Sequence, residues 1–247
     1  MQTVLLTATI TPPTGAPILN RVDPDLRRAD YRSAFDVYLK QLGQGVDRLV
    51  FAENSNSDLS DFHEAAARAG RGSQVELLPF SGLNYPTSHG RLYGELRLIE
   101  YAMTHAKFLA EGPPDQVVWK STGRYTVRNF PAVIRHQPKN FDIYINLRNY
   151  PRRWVDTYLM AWRRPGYEGF LKGLADRYIR GAEGTTPDES AIRGEIDAAR
   201  SRLNVAPRFT RVPFIDGKRG WDNKNYSNKW DYMVRVAASR IAPALWI

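Results

Sequence analysis

Two cations four residues apart close an apolar run in the segment Val117 to Val127, VVWKSTGRYTV. Val117-Val118-Trp119 reads as a buried strand, and Lys120 and Arg124 bracket a turn containing Gly123. Glycine there allows a tight turn and close approach of backbone to a ligand. An ammonium and a guanidinium at a strand end suit a diphosphate; the same pair also suits a surface hairpin with two solvated cations. A second set ends the run VDRLVFAEN: Glu53, Asn54 and Ser55 offer a carboxylate and an amide to a base or ribose edge, or a cap for the next helix, a job that Ser57 or Asp58 also fills. Thr9 and Thr11 close the first apolar run. The stretch Ser81 to Glu95, SGLNYPTSHGRLYGE, carries Gly82, Gly90 and Gly94 into a helix start, where free N–H groups suit phosphate. Glu95 reads there as a site residue or as a partner of the helix dipole. The stretch is neither a GxGxxG nor a P-loop.

Taking a proton from a hydroxyl calls for a positioned carboxylate. The second half offers Asp142, Asp156, Asp188, Glu189 and Glu195. Asp156 lies within RRWVDTYLMAW, an aromatic setting suited to stacking on sugar rings, and Glu189 follows a Thr-Thr-Pro-Asp turn. Those two are the favoured candidates, and each also reads as a salt-bridge or capping residue. The four histidines, His63, His89, His105 and His136, are scattered without metal-ligand spacing.

The elements that must position these residues follow from periodicity. Strands are expected at 3–10, 46–54, 74–80, 116–120 and 141–147, and helices at 30–42, 58–70, 93–110, 166–181 and 188–203. Near the C-terminus Tyr232, Met233, Val236, Arg240 and Ile241 follow helical spacing. Strands alternating with helices through residue 120 argue for βαβ units, an α/β class with a mostly parallel sheet and helices on both faces, within one large domain or two small ones. Ligands of such sheets bind at the carboxyl ends of the strands, where Thr9, Thr11, Glu53, Asn54 and Lys120 fall.

The chain has 247 residues, 43% of them hydrophobic and 25% charged, enough for a large core. It has no cysteine, which excludes disulfides, zinc thiolates, iron–sulfur clusters and thiol nucleophiles. No run approaches the length of a membrane span and no signal peptide is legible. The net charge of +9, from 35 Lys+Arg against 26 Asp+Glu, points to polyanions, anionic membranes or phosphorylated small molecules. Cations interleave with aromatics at Arg148, Arg152, Arg153, Trp154, Arg163, Arg164, Lys218, Arg219, Trp221, Lys224, Lys229 and Trp230. That pattern suits an anionic bilayer or a lipid-linked acceptor, and also single-stranded nucleic acid.

Taken in order, LLTATITP, DYRSAFDVYL, LVFAENSNSDLS, GRLYGELRLIEYA and VVWKSTGRYTVRN resemble bacterial glycosyltransferases of capsule, lipopolysaccharide O-antigen and related surface-polysaccharide clusters. The resemblance covers residues 1–130 and is weaker through RVPFIDGKRGWDNKNY. It implies a single α/β domain with a GT-A-like (Rossmann-like) fold and a nucleotide-sugar donor. Thr9, Thr11, Glu53 and Asn54 would lie near the nucleotide, and Lys120, Gly123, Arg124 and Tyr125 near the diphosphate and donor sugar. The family's Asp-x-Asp at the end of the fourth strand is replaced by Lys-Ser-Thr. Fixed cations there do the work of a divalent ion, so no cofactor and no metal is expected. Residues 1–130 are then the donor half and 131–247 the acceptor half, with a glycan or lipid-linked glycan as acceptor. The expected location is cytoplasmic, peripheral at the inner membrane face. The competing reading is a non-catalytic nucleic-acid-binding module built on the basic and aromatic surface, although no recognised motif supports it. A sulfotransferase or kinase lacks its P-loop here.

Overall fold

The computed structural model describes residues 1–14, 19–150, 152–180, 188–220, 222–226 and 229–241. Its strands form where side chains alternate between two buried faces. In β1 (Gln2–Ala8), Val4 and Leu6 pack into one helical layer and Leu5 into the other. The same alternation runs through β2 (Arg48–Glu53), β3 (Val75–Pro79) and β4 (Val117–Thr122). After a short β5 (Thr126–Val127), the second half adds β6 (Ile143–Arg148), β7 (Trp154–Trp162), β8 (Val205–Ala206) and β9 (Ile215–Asp216). Seven strands make one sheet in the order β3-β2-β1-β4-β7-β6-β8, and β5 pairs with β9 separately. β7 runs antiparallel to both neighbours, and every other pairing in the large sheet is parallel.

Helices cover both faces. On one lie α1 (Pro24–Gln41), α2 (Ser60–Arg68) and α5 (Phe130–Arg135), which contribute Tyr31, Phe35, Tyr38, Phe62 and Phe130. On the other lie α3 (Gly90–His105), α4 (Lys107–Ala110), the single turn α6 (Arg164–Gly166), α7 (Leu174–Arg180) and α8 (Glu189–Ala199). Helix α9 (Lys229–Ile241) closes the described chain and buries none of its residues. The expected α/β class, mostly parallel and covered on both faces, is what the chain adopts.

Several boundaries differ from expectation. Helix α1 starts at Pro24, six residues early, because Asp23 accepts from the N–H groups of Asp25 and Leu26 and proline suits the first turn. The helix expected over 93–110 divides at Ala106, whose extended backbone ends α3; Glu76 then accepts from the N–H groups of Lys107 and Phe108. The helix expected over 166–181 breaks into α6, a wide π turn at Tyr167–Leu171 and α7, with Gly173 at φ +71° between them. Residues 152–164, assigned no element, carry the nine-residue β7. Trp221, the Thr185–Pro187 turn and the six C-terminal residues lie outside the described residues.

Candidate functional site

In the order β2-β1-β4 the chain leaves β1 toward β2 on one side and reaches β4 on the other. That makes the carboxyl ends of β1 and β4 a topological switch point, where open parallel sheets bind ligands. The two ends are spliced tightly. Gly123 donates its N–H to the Thr7 carbonyl at 2.8 Å, and Tyr125 donates to the Thr122 carbonyl at 2.8 Å, closing a turn. A Cβ on Gly123 would stand 2.8 Å from the Thr7 carbonyl oxygen, so only glycine fits.

Lys120 is not on this edge. Strand β4 continues to Thr122, which leaves Lys120 two residues inside and fully buried beneath α3. Its ammonium has three hydrogens and three partners: Glu95 Oε1 at 2.6 Å, the Thr157 carbonyl at 2.7 Å and Thr122 Oγ1 at 3.3 Å. The expected direct contact of Lys120 with a diphosphate is therefore corrected. Lys120 is the buried half of an ion pair that ties β4 to α3 and β7. Burial pulls its pKa below the ordinary lysine value, against the opposing pull of Glu95 and Glu189.

Glu95, in the second turn of α3, also accepts from Thr7 Oγ1 at 2.8 Å and Thr122 Oγ1 at 3.3 Å. Burial disfavours its charge, but Lys120 and these donors outweigh burial and hold its pKa below the usual carboxylate value. Its side chain remains 22% exposed. It is neither a bare dipole partner nor a free acid.

Glu189 enters the same neighbourhood from the second half. It is the first residue of α8, whose N-cap Asp188 accepts from Ser190 N–H at 2.8 Å. Burial, with Asp188 and Glu95 nearby, pushes its carboxyl above the usual range, against its own N–H and Arg91. Tyr178 of α7 lies within electrostatic reach of Glu189 and Arg91. The other favoured carboxylate, Asp156, is corrected. It is buried, accepts from Asn146 Nδ2 at 2.7 Å and is held by both Nε and Nη2 of Arg148, so both of its oxygens are engaged inside the protein. Of the remaining carboxylates, Asp142 accepts from Asn204 N–H and Glu195 pairs with Arg177.

Arg124 lies in the turn after β4. Its guanidinium sits 5.4 Å from the Tyr125 ring centroid, and Nε has no hydrogen-bond partner. Burial works against its charge, but Tyr31, Tyr125 and Asp30 favour it and raise its pKa. Gly220 leaves room for it: a Cβ there would come within 2.5 Å of Nη2. Burial also raises the pKa of Tyr125, which lies within electrostatic reach of both Arg124 and Glu95.

The loops after β1 and β2 are clasped by Glu53. Its Oε1 accepts from Ile10 N at 2.8 Å, Ser55 N at 3.0 Å and Ser55 Oγ, and its Oε2 from Ser57 N at 2.9 Å. A carboxylate so occupied is a brace, which corrects its expected contact with a nucleotide. Asn54 accepts from Thr9 Oγ1 at 2.6 Å, while Thr11 N–H donates to Ser55 Oγ at 3.0 Å. Thr9 N–H points at Tyr31 Oη, 3.1 Å away, and its carbonyl accepts from Arg27. Thus Thr9, Asn54, Gly123, Arg124 and Tyr125 lie in the turns that follow β1, β2 and β4, Glu95 reaches Thr7 and Thr122 from α3, and Glu189 lies within electrostatic reach of Glu95, with Thr11 on the outer loop.

Residues that sequence reasoning missed are Thr7, Thr122, Thr157, Arg91, Tyr178, Arg27 and Tyr31. Strand parity was the available signal for Thr7 and Thr122: each sits two residues on from an inward-facing position, Leu5 and Lys120. Much of the basic, aromatic surface is internally engaged. Arg153 pairs with Asp197, Arg219 with Asp222, and Arg152 stacks 3.9 Å from the Trp154 ring centroid. Among the described residues no group of three or more His, Asp or Glu is placed to hold a metal ion, and no helix is long and apolar enough to cross a membrane.

No protein-family model and no curated protein matches the chain. Among solved structures it is similar to a protein from Desulfovibrio desulfuricans G20 assigned to the nucleotide-diphospho-sugar transferases, at 15% identity and TM-score 0.48 over 83% of this chain and 78% of that one. It is similar to the inositol-1-phosphate CTP transferase of T. maritima at 11% identity and TM-score 0.48, over 97% and 96%. A galactosyltransferase solved with donor and acceptor sugar analogues gives 10% identity and TM-score 0.44, over 78% and 69%. Likenesses at this level fix no activity.

Proposed function

We propose that the chain is a glycosyltransferase that moves a sugar from a nucleoside diphosphate donor to a hydroxyl of a growing, lipid-linked bacterial surface glycan. The observation that carries this reading is the switch point at the ends of β1 and β4, where Arg124 keeps an Nε without a hydrogen-bond partner and Glu95 lies within electrostatic reach of Glu189, a carboxylate with raised proton affinity. The nucleoside lies along Thr9, Thr11 and Asn54. Glu189 takes the proton of the acceptor hydroxyl as its oxygen bonds to the anomeric carbon. The bond from that carbon to the diphosphate oxygen breaks, and its electron pair leaves with the diphosphate. Arg124 and Arg91 neutralise that charge in place of a divalent ion. The Lys120–Glu95 pair is a positioning device that fixes α3 over β4.

The test is a thermal-shift series with UDP, GDP, CMP and TDP, with and without EDTA. A nucleotide bound only by the folded state stabilises it by about 2.7 kcal/mol at a hundredfold excess over Kd. One nucleotide should raise Tm, EDTA should not remove the rise, and Arg124→Ala should. Absence of a shift with every nucleotide would overturn the reading.

A further inference from the structure

Helix α9 turns its apolar side chains outward. It meets the body through Tyr232, whose ring stacks on Phe214 with centroids 4.7 Å apart, and through Arg235, which lies within electrostatic reach of Tyr158 and Tyr226. Successive helical residues rotate by about 100°. On that spacing Trp230, Met233, Val234, Ala237 and Ile241 fall on a single arc about 100° wide, opposite Tyr232 and Arg235. All five are exposed, with Trp230 at 69%, Met233 at 55% and Ile241 at 83%. Scattered exposed apolar residues are ordinary, but a contiguous stripe marks an interaction surface.

The stripe has a cationic border. Lys229 and Arg240 lie on one edge of the arc and both are exposed. Beside the helix runs a groove of about 760 Å³ lined by Arg208, Arg211 and Arg240 with Phe209, Met233 and Ala237; none of its described lining residues is acidic. Apolar side chains bordered by guanidinium groups match the interfacial zone of a membrane, where acyl chains lie beneath anionic headgroups. A second copy of this chain fits less well, because meeting stripe to stripe would bring Lys229 and Arg240 of both copies together. A nucleic acid gives the aliphatic residues no counterpart.

We propose that α9 docks the protein on an anionic lipid bilayer. Trp230, Met233 and Ile241 enter the acyl boundary, and Arg211 and Arg240 take headgroup phosphates. The docking accords with a lipid-linked acceptor but holds or fails whatever the cleft binds.

The test is co-sedimentation of the full chain with phosphatidylcholine vesicles, with and without about 30 mol% phosphatidylglycerol. The wild type should pellet with the anionic vesicles and stay largely in solution with the neutral ones. Met233→Glu/Ile241→Glu and, separately, Arg211→Glu/Arg240→Glu should each weaken binding by about tenfold or more. Unchanged Tm and unchanged nucleotide-induced shift would show that fold and cleft are intact in both variants. Wild type that stays in solution with anionic vesicles, or stripe variants that pellet as well as wild type, would overturn the proposal. So would a dimer in sedimentation velocity that Met233→Glu/Ile241→Glu dissociates while wild type ignores vesicles.

Discussion

Glu189 and Glu95 are two carboxylates in one electrostatic neighbourhood, set to opposite tasks. Glu95 has Lys120 and two threonine hydroxyls to hold its charge. Glu189 is pushed toward its protonated form by burial and by its acidic neighbours. A raised folded-state pKa means that the folded protein binds the proton more tightly than the unfolded chain. The ionised group therefore costs stability as pH rises through the window between the ordinary value of 4.5 and the raised one, and above it the cost is complete. Glu189→Gln should raise Tm at neutral pH while lowering kcat by about 10²- to 10⁴-fold, and the acid limb of wild-type kcat/KM should lie above pH 4.5. A variant that keeps its activity would remove Glu189 from the chemistry. The ion pair makes a separate prediction. Lys120→Met leaves the Glu95 carboxylate without its cation and should cost about 3 kcal/mol, whereas Lys120→Met/Glu95→Leu should recover much of that loss. Urea denaturation of the four proteins completes the cycle, and additive losses would argue against the coupling. The sequence made the residue types visible and left their pairing hidden. Lys120 looked like a strand-end cation because the apolar run stops at Trp119, yet the pleat carries it inward beneath α3. Asp156 and Glu189 were equal candidates until Arg148 proved to occupy the first.

At the scale of elements, the site depends on how closely the ends of β1 and β4 approach. Gly123 needs no unusual φ; its constraint is the Thr7 carbonyl, part of a strand that cannot shift alone. Gly123→Ala should destabilise by about 1–3 kcal/mol and weaken nucleotide binding, since Arg124 and Tyr125 move with the turn. Gly194→Ala is the control. That glycine is exposed in the middle of α8, and a Cβ there meets nothing within 4 Å, so stability should rise by about 0.5–1 kcal/mol. Thermal melts of both variants decide the matter, and equal effects would show that the splice is not special. The first four strands were legible because each is a short apolar run bounded by turn residues. Strand β7 was missed because it shows no period-two alternation and the arginines that flank it, with its tryptophans, were read as aromatic and basic interleaving. Its burial on both faces comes from neighbours, β4 and β6, that lie far from it in sequence.

Across the whole molecule, the division into a donor half and an acceptor half does not follow the sheet. Strand β7 pairs along β4, with Val118 opposite Trp162 and Lys120 opposite Met160, and the Thr157 carbonyl accepts from Lys120. Strand β9 pairs with β5 in the same way across the boundary. A fragment of residues 1–130 would present β4 as a bare edge carrying Trp119, lose a partner of a buried ammonium and lack Glu189. Exposed apolar edges of this kind associate. The fragment should therefore fail to give a folded monomer by size exclusion and circular dichroism. The full chain should unfold in one step, with far-ultraviolet dichroism and tryptophan fluorescence coinciding across the transition. A monomeric fragment that melts cooperatively and binds a nucleotide would show the opposite: a self-sufficient donor module, with β7 and α8 added to a sheet already formed.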